Sequence, residues 1–287
     1  MNSVTRLLLR VTLAGLVLLA FEGVAPGMEP QLPLFDAHLH YNGDARSELP
    51  VAQALARLDA DGVRGIIATS TPNDGSLELA KAASGVALAV VPFLRPYRID
   101  ADRSSWWNDP AIAALIDREL AREPRYRGIG EFHVHGAADA AGTTMKHIID
   151  IAVARDLWLH AHCDEAALEA IFAHDARVKV IWAHTGFTTP PATIADYLSR
   201  HPTLIAELSY RGDVASGTKV TPAWRELFLR YPDRFILGSD TWTAERWSSY
   251  AAIIAAYRGW LADLPEGVAA KLRWDNAVRM FGLSQVK

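Results

Sequence analysis

LFDAHLHYN, residues 34–42, runs an apolar segment straight into two histidines one residue apart, His38 and His40, with Asp36 just ahead of them. Alternate side chains of a strand project to the same face, so both imidazoles point together toward whatever lies on that side. Neutral imidazole is the commonest protein metal ligand, and a metal needs several such groups converging, so the other ligands must come from elsewhere in the chain. The stretch also bears on architecture. A doubly wound open sheet usually carries a glycine-rich phosphate turn after its first strand. Here the first strand ends in histidines instead.

Working outward, short β-rich apolar runs alternate with helical patterns. The runs are 34–40, VRGIIATS (63–70), VALAVVPFL (86–94), YRGIGEF (126–132), LWLHAH (157–162), VKVIWAH (178–184), TLIAELS (203–209) and RFILGSD (234–240). Between them, segments such as VAQALARLDADG, PAIAALIDRELARE, TMKHIIDIAVARD and PAWRELFLRY repeat apolar residues at three- and four-residue spacing, and several begin after Asp, Ser, Thr or Pro. Near-continuous hydrophobic strands suit a parallel sheet buried on both faces. Eight of them, each with a helix, predict an α/β fold, a (β/α)8 TIM barrel in a single domain over residues 33–287. The segment 95–110, with Trp106 and Trp107 adjacent, reads as a long polar loop at a pocket rim.

The leading residues are set apart from that domain. Arg6 and Arg10 flank an apolar run from Val11 to Phe21, followed by small residues up to Gly27. This predicts a signal peptide over 1–27, with an uncleaved N-terminal anchor as the alternative. The mature protein is then exported, to the periplasm, soluble or lightly tethered to the membrane. The formal net charge is −4, with no basic tract of the density that nucleic-acid binding needs. Cys163 is the only cysteine, which excludes an intramolecular disulfide and leaves the core to hold the fold.

The ends of the expected strands concentrate chemistry. They carry His38 and His40, then Glu131 with His133 and His135, then His160 and His162, then His184, and finally Asp240, so that seven of the ten histidines lie there. In a barrel these ends converge on one face, where active sites are built. The cluster has the composition of a metal site. His147, His174 and His201 fall in helical patterns and read as solvent-facing, Cys163 as packing, and His135 as loop.

The ordered set DAHLH, GIGE, HAH, WAHTG and LGSD, with the tail DNAVRMFGL, resembles the amidohydrolase superfamily, and within it the amidohydrolase-2 branch of TIM-barrel metal-dependent hydrolases. The ligand pattern is also similar to that of TatD-like hydrolases. The resemblance implies metal ligands His38 and His40 on strand 1, Glu131 on strand 4, His162 on strand 5, His184 on strand 6 and Asp240 on strand 8. Many relatives carry a carboxylated lysine where this chain has Glu131, so the number of ions stays open at one or two. His160 is placed lower in the barrel, as support or packing. Zinc is the expected divalent ion, with Mn, Fe, Co or Ni as alternatives for such ligands.

The resemblance further implies hydrolysis of a C–N or C–O bond, in an amide, lactone or ester of a small-molecule substrate, by water that the ion acidifies to a pKa of about 7. Asp240 is expected to take that water's proton, and His184 to complete a second ion site or support the oxyanion. The competing expectation for Asp240 is a helix cap ahead of 241–246. Arg211, Trp242 and His133 are the expected substrate contacts. Phosphoester cleavage, metal-dependent decarboxylation and a non-enzymatic binding barrel are the alternatives, because fold alone does not fix a reaction.

Overall fold

The computed structural model describes residues 31–283; the leader expected at 1–27 lies outside the described residues. Eight parallel strands follow one another around a single sheet in chain order. They are β1 (Leu34–His40), β2 (Val63–Thr69), β3 (Ala89–Leu94), β4 (Gly128–Val134), β5 (Trp158–Cys163), β6 (Lys179–Trp182), β7 (Leu204–Glu207) and β8 (Phe235–Ile236). Backbone bonds join the last strand to the first: Ala37 N donates to Leu237 O at 2.7 Å and Asp240 N to His38 O at 2.6 Å. The expected (β/α)8 barrel is therefore the observed fold. Among the described residues no helix is long and apolar enough to cross a membrane.

Two helices begin on aspartate caps. Asp109 accepts from Ala111 N ahead of Pro110–Arg122, and Asp164 accepts from Ala167 N ahead of Glu165–His174, each at 2.8 Å. Proline opens the helices Pro110–Arg122, Pro191–Arg200 and Pro222–Arg230, where its missing N–H costs nothing. One helix, Asp74–Ala82, is absent from the sequence reading. Its buried face is Gly75, Ser76 and Leu79, so the apolar spacing barely registers. The segment 95–110 is also less of a loop than expected, because it folds into the 3-10 turns Asp100–Ser104 and Trp106–Asn108. Trp106 is fully buried and donates through Nε1 to His133 O at 2.8 Å, so it braces β4 from behind instead of forming a rim.

Strand alternation splits the core into two layers. Phe35, Ile67, Phe93, Trp158, Ile181, Ile205 and Ile236 fill the barrel interior together with Trp274, Ala277 and Phe281. The helix Asn276–Phe281 thus plugs one end of the barrel. Outward residues such as Leu39, Ile129, Leu159, Val180 and Leu204 pack against the helical ring. At the other end of the barrel the interior turns polar, and the chemistry begins there.

Candidate metal centre

Two irregularities aim the first ligands. In β1, Phe35 and Ala37 face the interior, and the pairing with β2 then shifts register between Asp36 and Leu39. Beyond this bulge Leu39 faces outward, while His38 and His40 turn inward side by side. β4 shifts likewise between Gly130 and Phe132, which brings Glu131 inward two residues after outward Ile129. Gly130 sits at φ 134°, and a Cβ there would overlap His160 O, so this bulge needs glycine. β5 alternates cleanly: Trp158, His160 and His162 face in, Leu159, Ala161 and Cys163 face out. His184 and Asp240 follow their strands at positive φ, 55° and 50°.

The result is a tight cluster. His38 Nε2 and His40 Nε2 lie 3.1 Å apart. Glu131 Oε2 is 3.6 and 3.2 Å from them, and Asp240 Oδ1 is 3.4 and 3.0 Å. Donor atoms sharing a small divalent ion at about 2.0–2.2 Å lie roughly 3 to 3.5 Å from one another, so these spacings match the edges of a coordination shell. The other face of the same carboxylates meets two more imidazoles. Glu131 Oε1 is 2.9 Å from His162 Nδ1 and 3.5 Å from His184 Nε2, and Asp240 Oδ2 is 3.8 Å from His184 Nε2. All four residues of the first cluster are buried, and among the described residues Asp240 Oδ1 has no hydrogen-bond donor of its own. The donor chemistry and the orphaned oxygen both fit a divalent cation.

Charge agrees with this. Burial alone would depress the His38 imidazole, but Asp240, Glu131 and Glu207 outweigh it and hold it well above its ordinary range. Burial alone would likewise raise Asp240 and Glu131, yet His38 beside them holds both below the usual carboxylate range. Carboxylates are in excess here, and the floor of the cavity attracts positive charge.

Glu207 is the residue the sequence reading missed. It is fully buried at the end of β7, and its pKa falls to about 2 because His38, chiefly, outweighs the cost of burial. Its Oε2 accepts from His38 Nδ1 at 2.9 Å, His184 N at 3.0 Å and Ser209 Oγ at 2.8 Å; Oε1 accepts from Ser209 N. With its hydrogen given to Glu207, Ser209 Oγ accepts from His184 Nδ1 at 2.8 Å. This network, read from its hydrogen bonds, keeps a hydrogen on Nδ1 of both histidines and turns Nε2 of each toward the cluster, where a bound ion would take the place of its proton. The signal was present in IAELS: Ile205 faces the interior, so Glu207 and Ser209, two and four residues on, must face it too.

The remaining expected residues separate. His133 lines the cavity, its ring 4.0 Å from that of His162. Tyr97 OH accepts from His133 N at 2.7 Å and lies 3.2 Å from His133 Nδ1, its sole acceptor among the described residues. The phenol proton therefore goes to Nδ1, leaving Nε2–H as the donor on the cavity side; burial depresses the imidazole to about 3 and keeps it neutral. Trp242 also lines the cavity, half exposed. Arg211 does not. It is buried beneath the rim and donates to Thr185 O, Thr189 O and both oxygens of Asp213 at 2.7–3.0 Å, which leaves it no role as a substrate contact. Arg95 faces the cavity in its stead, donating to Glu131 O at 2.9 Å. His160 lies beneath His38 with ring centroids 4.3 Å apart and, among the described residues, no hydrogen-bond partner on either nitrogen. The cap of Ala244–Ser248 is Thr243, so Asp240 does not serve as a helix cap.

Above the cluster opens a cavity of about 780 Å³, lined on one side by Arg95, Arg98, Asp100 and Arg103 and on the other by Phe187, Tyr210 and Trp242. That size suits a small organic molecule.

Solved structures share this architecture. An amidohydrolase from Burkholderia multivorans with bound zinc superposes with a TM-score of 0.57 at 17% identity, covering 88% of this chain and 100% of that chain. The phosphotriesterase homology protein from Escherichia coli, complexed with phosphate, gives 0.56 at 13% identity over 87% and 98% of the two chains. A TatD family hydrolase from Entamoeba histolytica gives 0.56 at 9% identity over 86% and 97%. At such identities the likeness shows the fold alone. No curated protein matches the chain. The family model described as amidohydrolase matches residues 101–283, from the turns beside β3 to the helix that plugs the barrel. The chain belongs to the amidohydrolase family.

Proposed function

We propose that the protein hydrolyses a C–N or C–O bond, of an amide, lactone or ester, in a small substrate, using one or two divalent ions, zinc first among them. The observation that carries this reading is the Glu131 carboxylate, with one oxygen beside His38 and His40 and the other beside His162 and His184. His38, His40 and Asp240 would hold one ion, His162 and His184 the other, with Glu131 between them. The chemistry supplied by an ion held there is polarisation of a carbonyl oxygen and acidification of water.

The chain's own residues do the rest. Asp240 accepts the proton of the attacking water and passes it to the leaving nitrogen or oxygen. His133 Nε2–H and Arg95 stand at the cavity edge as donors for the substrate oxygen on which charge develops. Glu207 and Ser209 keep the histidines in their working tautomers.

Elemental analysis of the purified protein, followed by a panel of esters, lactones and amides, tests the proposal. One to two equivalents of ion and turnover of at least one carbonyl class are expected. Asp240→Asn should fold, keep much of its ion and lose roughly 10²–10⁴-fold in rate. An Asn variant that stays active, or a wild-type protein that binds no ion, sinks the reading. The export expectation from residues 1–27 stands as a companion proposal, tested by cell fractionation.

A further inference from the structure

Seven large apolar side chains are exposed among the described residues, and four of them, Ile99, Phe187, Tyr210 and Trp242, line this one cavity at 41–61% exposure. Apolar side chains gathered at the mouth of a polar cavity mark where a ligand covers them. Three are aromatic, and they are fixed in place. Trp242 Nε1 donates to Tyr210 OH at 2.9 Å, joining the segments that follow β7 and β8. The Arg246 guanidinium lies 3.9 Å from the Tyr210 ring centroid and is itself anchored on Ser239 O at 3.0 Å and Asp240 O at 3.1 Å. Phe187 stacks on His184, centroids 4.1 Å apart at 29°, and lies 5.0 Å from His162. Phe187 and Tyr210 hold positive φ, 56° and 60°, a conformation that bulky residues adopt only where the surroundings impose it.

We propose that the aromatic side of the cavity is a built subsite for a flat aryl ring, carried by the substrate within about three bonds of the scissile carbonyl. The distance follows from Phe187, whose ring touches the imidazoles of His162 and His184, so a ring resting on it is adjacent to the reacting centre. The choice of an aryl group over an alkyl chain follows from the rigidity of the three rings. Aromatic pairs gain from offset and edge geometries at 4.5–7 Å, which a preset platform offers a flat partner and a flexible chain cannot use. The opposite side, with Arg95, Arg98, Asp100 and Arg103, is charged and directs the apolar end of the substrate toward β6–β8. The inference rests on the proposed carbonyl hydrolysis for its placement of the scissile bond.

Matched pairs of identical reacting group test it: methyl 3-phenylpropionate against methyl butanoate, and 3-phenylpropionamide against butanamide. Alongside, 4-phenylbutan-2-one and pentan-2-one, ketones that cannot be hydrolysed, are titrated calorimetrically into the zinc-loaded protein. The aryl member of each pair should be preferred about tenfold or more in kcat/KM, and the aryl ketone should bind correspondingly tighter. Trp242→Ala should raise KM for the aryl member and cut that preference by about tenfold, while Trp242→Phe, which restores a ring, should recover most of it. Aryl-selective ketone binding that Trp242→Ala abolishes, with no turnover of any ester, lactone or amide, keeps the subsite and overturns the hydrolase reading. Equal binding of the two ketones, or a preference that survives Trp242→Ala, overturns the subsite whatever turnover shows.

Discussion

Glu207→Gln isolates the network that fixes the histidines, because it preserves shape and removes only the charge and one acceptor. The carboxylate takes four hydrogen bonds, from His38 Nδ1, His184 N, Ser209 N and Ser209 Oγ. A glutamine that keeps its oxygen where Oε2 stood retains three of them and sets its amide N–H₂ against Ser209 N–H. One bond is lost and a buried donor is left unmet, at about 1–3 kcal/mol, and the other three bonds weaken as their acceptor loses its charge, by roughly 1 kcal/mol each. Relief of a buried charge offsets part of this, so the net destabilisation should be about 2–4 kcal/mol. A residue supporting metal ligands typically contributes 10–100-fold to metal affinity. Zinc affinity, measured by competition with a chelator, should fall by that factor, and urea unfolding of chelator-treated protein should show the stability loss. Wild-type zinc affinity in a folded Gln variant would refute the claim that Glu207 sets the His38 and His184 tautomers. A stability loss without an affinity loss would reduce Glu207 to a brace for the backbone at His184 and Ser209.

Gly238→Ala should act on the same pair from the other side: a Cβ at 238 overlaps both His38 Cβ and Glu207 Oε1, so the variant should lose ion affinity together with roughly 1–3 kcal/mol of stability, read by the same two assays. Arg211→Ala should destabilise by about 2–4 kcal/mol in urea unfolding, because four hydrogen bonds are lost beneath the rim, yet shift KM of any substrate by less than about threefold; a stable variant with a tenfold higher KM would restore Arg211 as a substrate contact. Acid should expose Glu207. Its folded pKa of about 2 lies below the ordinary 4.5, so its contribution of roughly 3 kcal/mol is complete above pH 4.5 and is lost as pH falls from there toward 2. Unfolding free energies measured across that range should therefore decline less steeply in Glu207→Gln than in the wild type.

The barrel was legible because its signals are local. Each strand is a bounded apolar run, and most helices carry their own apolar spacing. The site was legible where an apolar run gives way to histidine or aspartate at or just past its end, as in His38, His40, His162 and Asp240. What escaped depends on partners distant in sequence. Glu207 looks like any strand-end carboxylate until β7 is set beside β6 and across from β1, where it meets His184 and His38. Arg211 looks like a rim cation until the carbonyls of Thr185 and Thr189 fold over it. Tyr97 gains meaning only when His133, on the neighbouring strand, presents both its N–H and its Nδ1. The helix Asp74–Ala82 hid because glycine and serine make up most of its buried face.

The plug at the closed end of the barrel has a consequence for assembly. Phe281 packs on Phe93 at 6.0 Å, Phe93 on His160 at 6.3 Å, and His160 on His38 at 4.3 Å, so a column of rings runs from the plug to the first ligand strand. The helix Asn276–Phe281 emerges from the ribosome after all eight strands. Before it docks, the base of that column is open, so His38 would lack its footing even with every ligand strand in place. Capture of an ion would then wait on the docking of a helix that touches none of the proposed ligands.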